Sequence, residues 1–297
     1  MPHIHYPPLP HHNQFPHGDK SHHKNYPQTL YPKTEYWGIM FDMRKKPVIS
    51  GEVYHVYSRG NHKEDIFFDE SDRRRFFFLL LALQGKQTTE QVLPYLQFFT
   101  ARGFKEPRAK DDLKLGPPYS LDQNDLTEKV NSERLVRVIN ATLMENHIHA
   151  TVYNNSEHGL PRYMQRLILA HTKYMNKKYE RTGHVFESTY QAVPVKDDEQ
   201  MLYLSAYIHR NQRDIKEWYD KEDLYPWSTY QDYITKNRWG KLLSLETVMD
   251  HFKDSKDYKR YVDGSGAKEK KRVDSNLDPN LDDTEFLIDC QTLDPNT

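Results

Sequence analysis

RLVRVINATLMENHIHATVYN, residues 134–154, decides how this chain is read. Two β-rich runs flank Met144-Glu145-Asn146 and read as a hairpin or as adjacent strands about that junction. In the second run Ile148 separates His147 from His149. Side chains alternate along a strand, so both imidazoles can converge on one ion while Ile148 turns into the core. The pattern alone is weak, because His3-Ile4-His5 repeats it inside a proline-rich arm with no strand to orient it.

Upstream, GEVYHVYSRGN (51–61) alternates and then stops at Arg59-Gly60-Asn61, a strand ending in a turn. Asp69 and Asp72 offer caps before RRRFFFLLLALQ (73–84), whose length and Leu/Ala content favour a buried helix. Downstream, Leu160, Met164, Leu167, Ile168, His171 and Met175 recur at helical steps up to about Tyr179, and Gly183 ends the run. Phe186 to Val195 reads as a strand. Asp197-Asp198-Glu199 then opens a helix through QMLYLSAYIHRNQ, acidic residues suiting the positive end of the helix dipole. The order β-α-β-β-α-β-α fits an α+β fold of ferredoxin-like kind, an antiparallel sheet with helices packed on one face.

In that last helix Tyr203, Tyr207 and Asn211 stand at successive steps of four, so a phenol and an amide face the same site. An aromatic stripe ordinarily belongs to a core. Asn211 fits that assignment less easily, because a buried amide needs partners.

Around this domain, taken as 46–235, the composition shifts. Residues 1–45 interleave seven histidines with seven prolines and read as a disordered arm. Residues 85–130 are polar, carry Gly116-Pro117-Pro118 and read as an insertion. A helical C-terminal extension is expected over 236–265 and a flexible acidic tail over 266–297. The segment 273–297 holds seven of the 43 acidic residues and no Lys or Arg, leaving 36 acidic against 42 basic elsewhere, a net +6. Such a body permits a nucleic-acid partner without demanding one. The longest strongly apolar run, Phe76 to Leu83, is far short of a membrane span, and proline and histidine break the N-terminus where a signal peptide needs an apolar core. A cytoplasmic protein is expected, with monomer and homodimer both open. The single cysteine, Cys290, excludes an internal disulfide and any multi-cysteine metal site.

GEVYHVYSRGNHKEDIF (51–67), LMENHIHATVYN (143–154), MQRLILAHTKYMNKKYERTGHVFESTYQAVPV (164–195), DDEQMLYLSAYIHRNQ (197–212) and YPWSTYQDYI (225–234) occur in the order and spacing of REP-associated tyrosine transposases. Over residues 47–235 the chain resembles the IS200-like single-tyrosine (Y1) HUH transposases and particularly this branch. The resemblance implies a ferredoxin-like HUH domain in which His147 and His149 bind a divalent ion, Mg²⁺ or Mn²⁺, with Asn211 as third ligand and Tyr207 as nucleophile. It also implies hairpin-containing single-stranded DNA as substrate and a 5′-phosphotyrosine intermediate. Gln212 departs from the proline usual at its position. The chemistry suits the residues: a phenol with an ordinary pKa of about 10 needs a nearby cation to act as nucleophile at neutral pH. Arg59, Asn61, Arg137, Lys173, Lys177, Lys178 and Arg181 are candidates for phosphate contacts.

Three other readings stand beside this one. Tyr203 and Tyr207 could form a two-tyrosine arrangement; the chain could be a catalytically silent DNA-binding regulator descended from a transposase; or the N-terminal histidines could make it a metal-binding scaffold.

Overall fold

The computed structural model describes residues 47–100, 103–104 and 123–268. The 1–45 arm and nearly all of the 266–297 tail lie outside them, as does the middle of the 85–130 stretch. Strand β1 (Val53–Arg59) leads to α1 (Glu70–Ala82). A capping box fixes the start of α1: Asp69 accepts from the Asp72 N–H at 3.0 Å, while the Asp72 carboxylate accepts from the Phe68 and Asp69 N–H groups. Every residue from Phe76 to Leu83 is buried, as the apolar run requires, and each such Phe or Leu contributes about 1.5–3 kcal/mol of transfer free energy. Within the expected insertion lie α2 (Thr89–Val92), a short hairpin of β2 (Phe99–Thr100) with β3 (Gly103–Phe104), and the start of α3 (Gln123–Ser132). The domain then continues through β4 (Val136–Leu143), β5 (His147–Asn154), α4 (Gly159–Lys178), β6 (Gln191–Pro194) and α5 (Asp198–Arg210).

The main sheet has the order β4-β5-β1-β6 with every pair antiparallel. An interior first strand with the hairpin β4–β5 on one side is the ferredoxin-like arrangement of a βαββαβ chain. Of the two possibilities for residues 134–154, the hairpin is the one formed: the Met144 N–H donates to the His147 carbonyl at 2.9 Å.

Strand β4 carries a bulge. Val138 pairs with Val152 and Asn140 with Thr151, leaving Ile139 as the extra residue. The extra residue changes the phase of the strand. Val136 and Val138 before it, and Ala141 and Leu143 after it, all join the core with α1 and α4, whereas Ile139 belongs to an apolar cluster on the other face. Thr142 therefore pairs with His149.

The expectation of helices on one face is corrected here. Helices α1 and α4 cover the face carrying Tyr54, Val56, Ile148 and Val152, while α5 packs against β4 and β5 from the opposite side. Three further helices, α6 (Tyr230–Ile234), α7 (Glu246–Met249) and α8 (Ser255–Gly264), join α5 there, burying Met201, Ala206, Tyr230, Tyr233 and Tyr258 with Ile139. The middle of the polar face of β1 and β5, with His55, His149 and Thr151, is thus buried.

Strand β6 is also shorter than the expected Phe186–Val195. Phe186 makes an isolated bridge to Gly60, and the ladder resumes only at Gln191. Pro194 pairs opposite Tyr54 on this edge strand, where its missing N–H costs no interior bond.

Candidate active site

The alternation of β5 places His147 and His149 on the sheet face beneath α5, their ring centroids 5.0 Å apart and nearly perpendicular. Each imidazole is held through Nδ1. The Nδ1 of His147 lies 2.7 Å from Asn146 Oδ1, and the Asn146 Nδ2 donates to the Lys63 carbonyl at 3.0 Å. That second bond fixes the amide orientation, so Oδ1 is the atom facing His147. An amide oxygen only accepts, hence Nδ1 of His147 carries the proton and Nε2 keeps its lone pair. The Nδ1 of His149 lies 3.0 Å from Nε2 of His55 on β1. The Nε2 atoms of both His147 and His149 are shielded from solvent.

Tyr207, on α5, meets the His149 ring edge to face with centroids 5.8 Å apart. It is 2% exposed, so the site lies under α5 and not in an open surface cleft. Lys268 sits 4.6 Å above the Tyr207 ring; its side chain is itself 2% exposed and pairs with Asp214 at 2.8 Å. Asn211 directly follows α5 and is fully buried. Neither atom of its amide has a hydrogen-bond partner among the described residues. Its neighbour Gln212 is satisfied: Nε2 donates to the His209 and Glu222 carbonyls at 2.6 and 3.1 Å, and Oε1 accepts from Thr142 at 3.4 Å. Gln212 therefore ties the end of α5 to the residue paired with His149.

Tyr203 is half-buried and packs against the cluster of Leu204, Tyr207 and Ile208. His209, in the same helix, is a structural residue. It is enclosed between Tyr258 Oη at 2.6 Å and Thr229 Oγ1 at 2.9 Å, and burial pushes its pKa down to about 3.

The basic candidates separate. Arg59 pairs with His147 in the β1–β5 register and so leaves the strand beside the histidines, with Asn61 just beyond the turn at Gly60. A side chain at Gly60 would collide with the Glu64 carbonyl, 2.0 Å from a Cβ placed there, so this turn requires glycine. Arg137 pairs with Tyr153 at the far end of the strands, six residues and roughly 20 Å from His147; it stacks on the Tyr153 ring at 4.2 Å. Lys173 and Lys177 are exposed on α4, across the sheet from the histidines. Lys178 is bound by Asp69 and Asp72 at 2.6 and 2.7 Å, and Arg181 by Glu64 at 3.2 Å. The structure thus gathers His147, His149, Tyr207 and Arg59 and leaves Arg137, Lys173, Lys177 and Lys178 elsewhere.

Among the described residues no group of three or more His, Cys, Asp or Glu side chains is arranged to hold a metal ion. A metal here would rest on two imidazoles and an amide, and the buried, unsatisfied Asn211 amide fits that role. Sequence reasoning missed His55, Gln212 and Lys268. The alternation of residues 53–58 places His55 on one face with Tyr57, but the β1–β5 pairing that sets it beside His149 is a long-range fact.

No helix among the described residues is long and apolar enough to cross a membrane. No curated protein matches the chain. A solved structure described as a REP-associated tyrosine transposase bound to a REP hairpin is similar at a TM-score of 0.39 and 9% identity, over 69% of this chain and 92% of that one; so loose a likeness decides nothing about the site. The family described as IS200-like transposase matches residues 119–211, a stretch that contains His147, His149, Tyr207 and Asn211.

Proposed function

We propose that this protein is a metal-dependent single-stranded DNA endonuclease and strand transferase, a transposase of the HUH single-tyrosine kind acting on hairpin-containing DNA. The observation that carries the reading is the state of the histidine pair. Two imidazoles on one strand face each have Nδ1 engaged and Nε2 buried, with a phenol packed on one of them and an unsatisfied amide one helical turn beyond that phenol. His147, His149 and Asn211 would hold a divalent ion of the Mg²⁺ or Mn²⁺ class, which polarises the phosphodiester and favours the phenolate when bound.

The residues then divide the work. Tyr207 Oη gives up its proton and attacks the scissile phosphorus, forming a 5′-phosphotyrosine bond as the bond to the 3′ oxygen breaks; a proton returns to that oxygen, which leaves as a 3′-hydroxyl. The adduct conserves a phosphodiester, so a 3′-hydroxyl from another end can reverse the step and join strands without a nucleotide cofactor. Lys268, above the ring, stabilises negative charge on the phenol. Arg59, opposite His147 in the β1–β5 register, would contact a phosphate of the bound strand.

Incubation of labelled hairpin single strands with the protein should give a nick that needs Mn²⁺ or Mg²⁺, stops with chelator, and is religated when a 3′-hydroxyl strand is supplied. The burial of Tyr207 favours a second reading, a catalytically silent DNA-binding regulator with the same fold. That reading is the correct one if the hairpin is retarded in native gels but no nick forms with any divalent ion.

A further inference from the structure

We infer that His55 is a positioning residue, accepting a hydrogen bond from Nδ1–H of His149 and thereby turning the Nε2 lone pair of His149 into the site. The inference rests on the metal-site reading given above. His55 and His149 are diagonal neighbours across β1 and β5, since His55 pairs with Thr151 and His149 with Tyr57. Their nearest nitrogens, Nε2 of His55 and Nδ1 of His149, are 3.0 Å apart. The rings lie within 16° of parallel with centroids 5.2 Å apart. Such a separation belongs to two rings joined edge to edge through their nitrogens, not to rings stacked face on face. Both residues are buried.

A neutral imidazole carries one N–H, so the direction of this one bond fixes the tautomer of each ring. If His149 donates, its Nε2 carries a lone pair. His147 is already in that state, held there by Asn146 and, through it, by the Lys63 carbonyl. Two adjacent ligands of one cation must both present lone pairs, so the same tautomer is required of His149. If His55 donated instead, His149 would point an N–H into the place the cation must occupy. An imidazole locked through its far nitrogen is also a better-oriented ligand, and loss of such a support typically weakens metal binding by about 10–100-fold.

The test uses the full-length protein with ¹⁵N-labelled imidazoles. Two-bond ¹H–¹⁵N spectra of the metal-free protein at pH 8 should place the His149 proton on Nδ1. His55→Gln keeps an acceptor at the position of Nε2 and should preserve that tautomer. His55→Phe keeps the bulk alone and should release His149 to an Nε2–H form. Calorimetry with Mn²⁺ should show His55→Phe weakened by about 10–100-fold, with His55→Gln restoring most of the loss. The inference is overturned if the wild-type His149 proton sits on Nε2, or if His55→Phe changes neither tautomer nor Mn²⁺ affinity. Should His55→Phe fail to fold, the wild-type and His55→Gln spectra still decide the tautomer. Failure of the metal reading looks different: wild type, His147→Ala and His149→Ala would then take up Mn²⁺ alike, whatever the tautomer.

Discussion

A phenol attacks phosphorus at neutral pH only where its negative charge is stabilised, and if Tyr207 is the nucleophile proposed above, Lys268 over its ring is a cation that would contribute. Lys268→Met keeps the length of the side chain and removes the charge. The rate of adduct formation should fall about tenfold at pH 7 and recover as pH rises, because the phenolate then forms without help; a rate–pH profile identical to wild type would leave Lys268 as a partner of Asp214 alone. His147→Ala and His149→Ala should each abolish most nicking, but their structural costs differ. His149 is buried and bonded to His55, so its removal should also destabilise by about 1–3 kcal/mol, whereas half-buried His147 should cost less. Asn211→Ala should raise the concentration of Mn²⁺ needed for half-maximal nicking, and excess metal should rescue it; an unchanged titration would make Asn211 a structural amide. That His147 and His149 share one face of a strand, and Tyr207 and Asn211 one face of a helix, is legible in the sequence because alternation and steps of four are local; the roles given to them come from the family resemblance. The approach of Lys268 to Tyr207 is not legible there, since it stands 61 positions further on, in a stretch that reads as an acidic tail.

At the scale of elements, β1, α1, the β4–β5 hairpin, α4 and α5 lie close to where periodicity and caps place them. Asp69 with Asp72 and Asp197 hold the helix starts as expected, the last accepting from the Gln200 N–H at 2.8 Å. What periodicity does not carry is which face a helix covers. Nothing local in QMLYLSAYIHRNQ says that α5 covers the sheet face opposite α1 and α4, because that depends on α6 and α8 arriving from later in the chain. Nor does the alternation of VRVINATL (136–143) announce a bulge; the switch at Ile139 is visible only once Val152 and Thr151 are paired. The seam between α5 and β4 is held by Gln212, and Gln212→Ala removes three hydrogen bonds from a buried position. A loss of about 1–3 kcal/mol in urea unfolding is expected, together with slower nicking, since Thr142 beside His149 loses its tie to the helix. Unfolding at the wild-type midpoint would mean that packing alone sets this seam.

For the whole molecule, two buried histidines, His171 and His209, contribute to the response to acid. His171, bonded to the Ile66 carbonyl at 2.8 Å, is pushed down to about 4 by burial, and His209 to about 3. In the unfolded chain both titrate near about 6.5. Below that pH the unfolded state binds protons that the folded state refuses, so the stability they lend is complete above about 6.5 and drains away as pH falls toward 4 and then 3. The slope should approach about 2.7 kcal/mol per pH unit for the two together, and about half of that in His209→Gln; a flat urea midpoint between pH 6.5 and 4.5 would contradict it. The proposed reaction turns on one covalent bond. Labelled hairpin single strand incubated with the protein and Mn²⁺, then denatured and digested, should yield a single peptide carrying a 5′-phosphate on Tyr207, absent in Tyr207→Phe and retained in Tyr203→Phe. A phosphate mapped to Tyr203, Tyr174 or Tyr190, or a hairpin bound and never joined to protein, would contradict it.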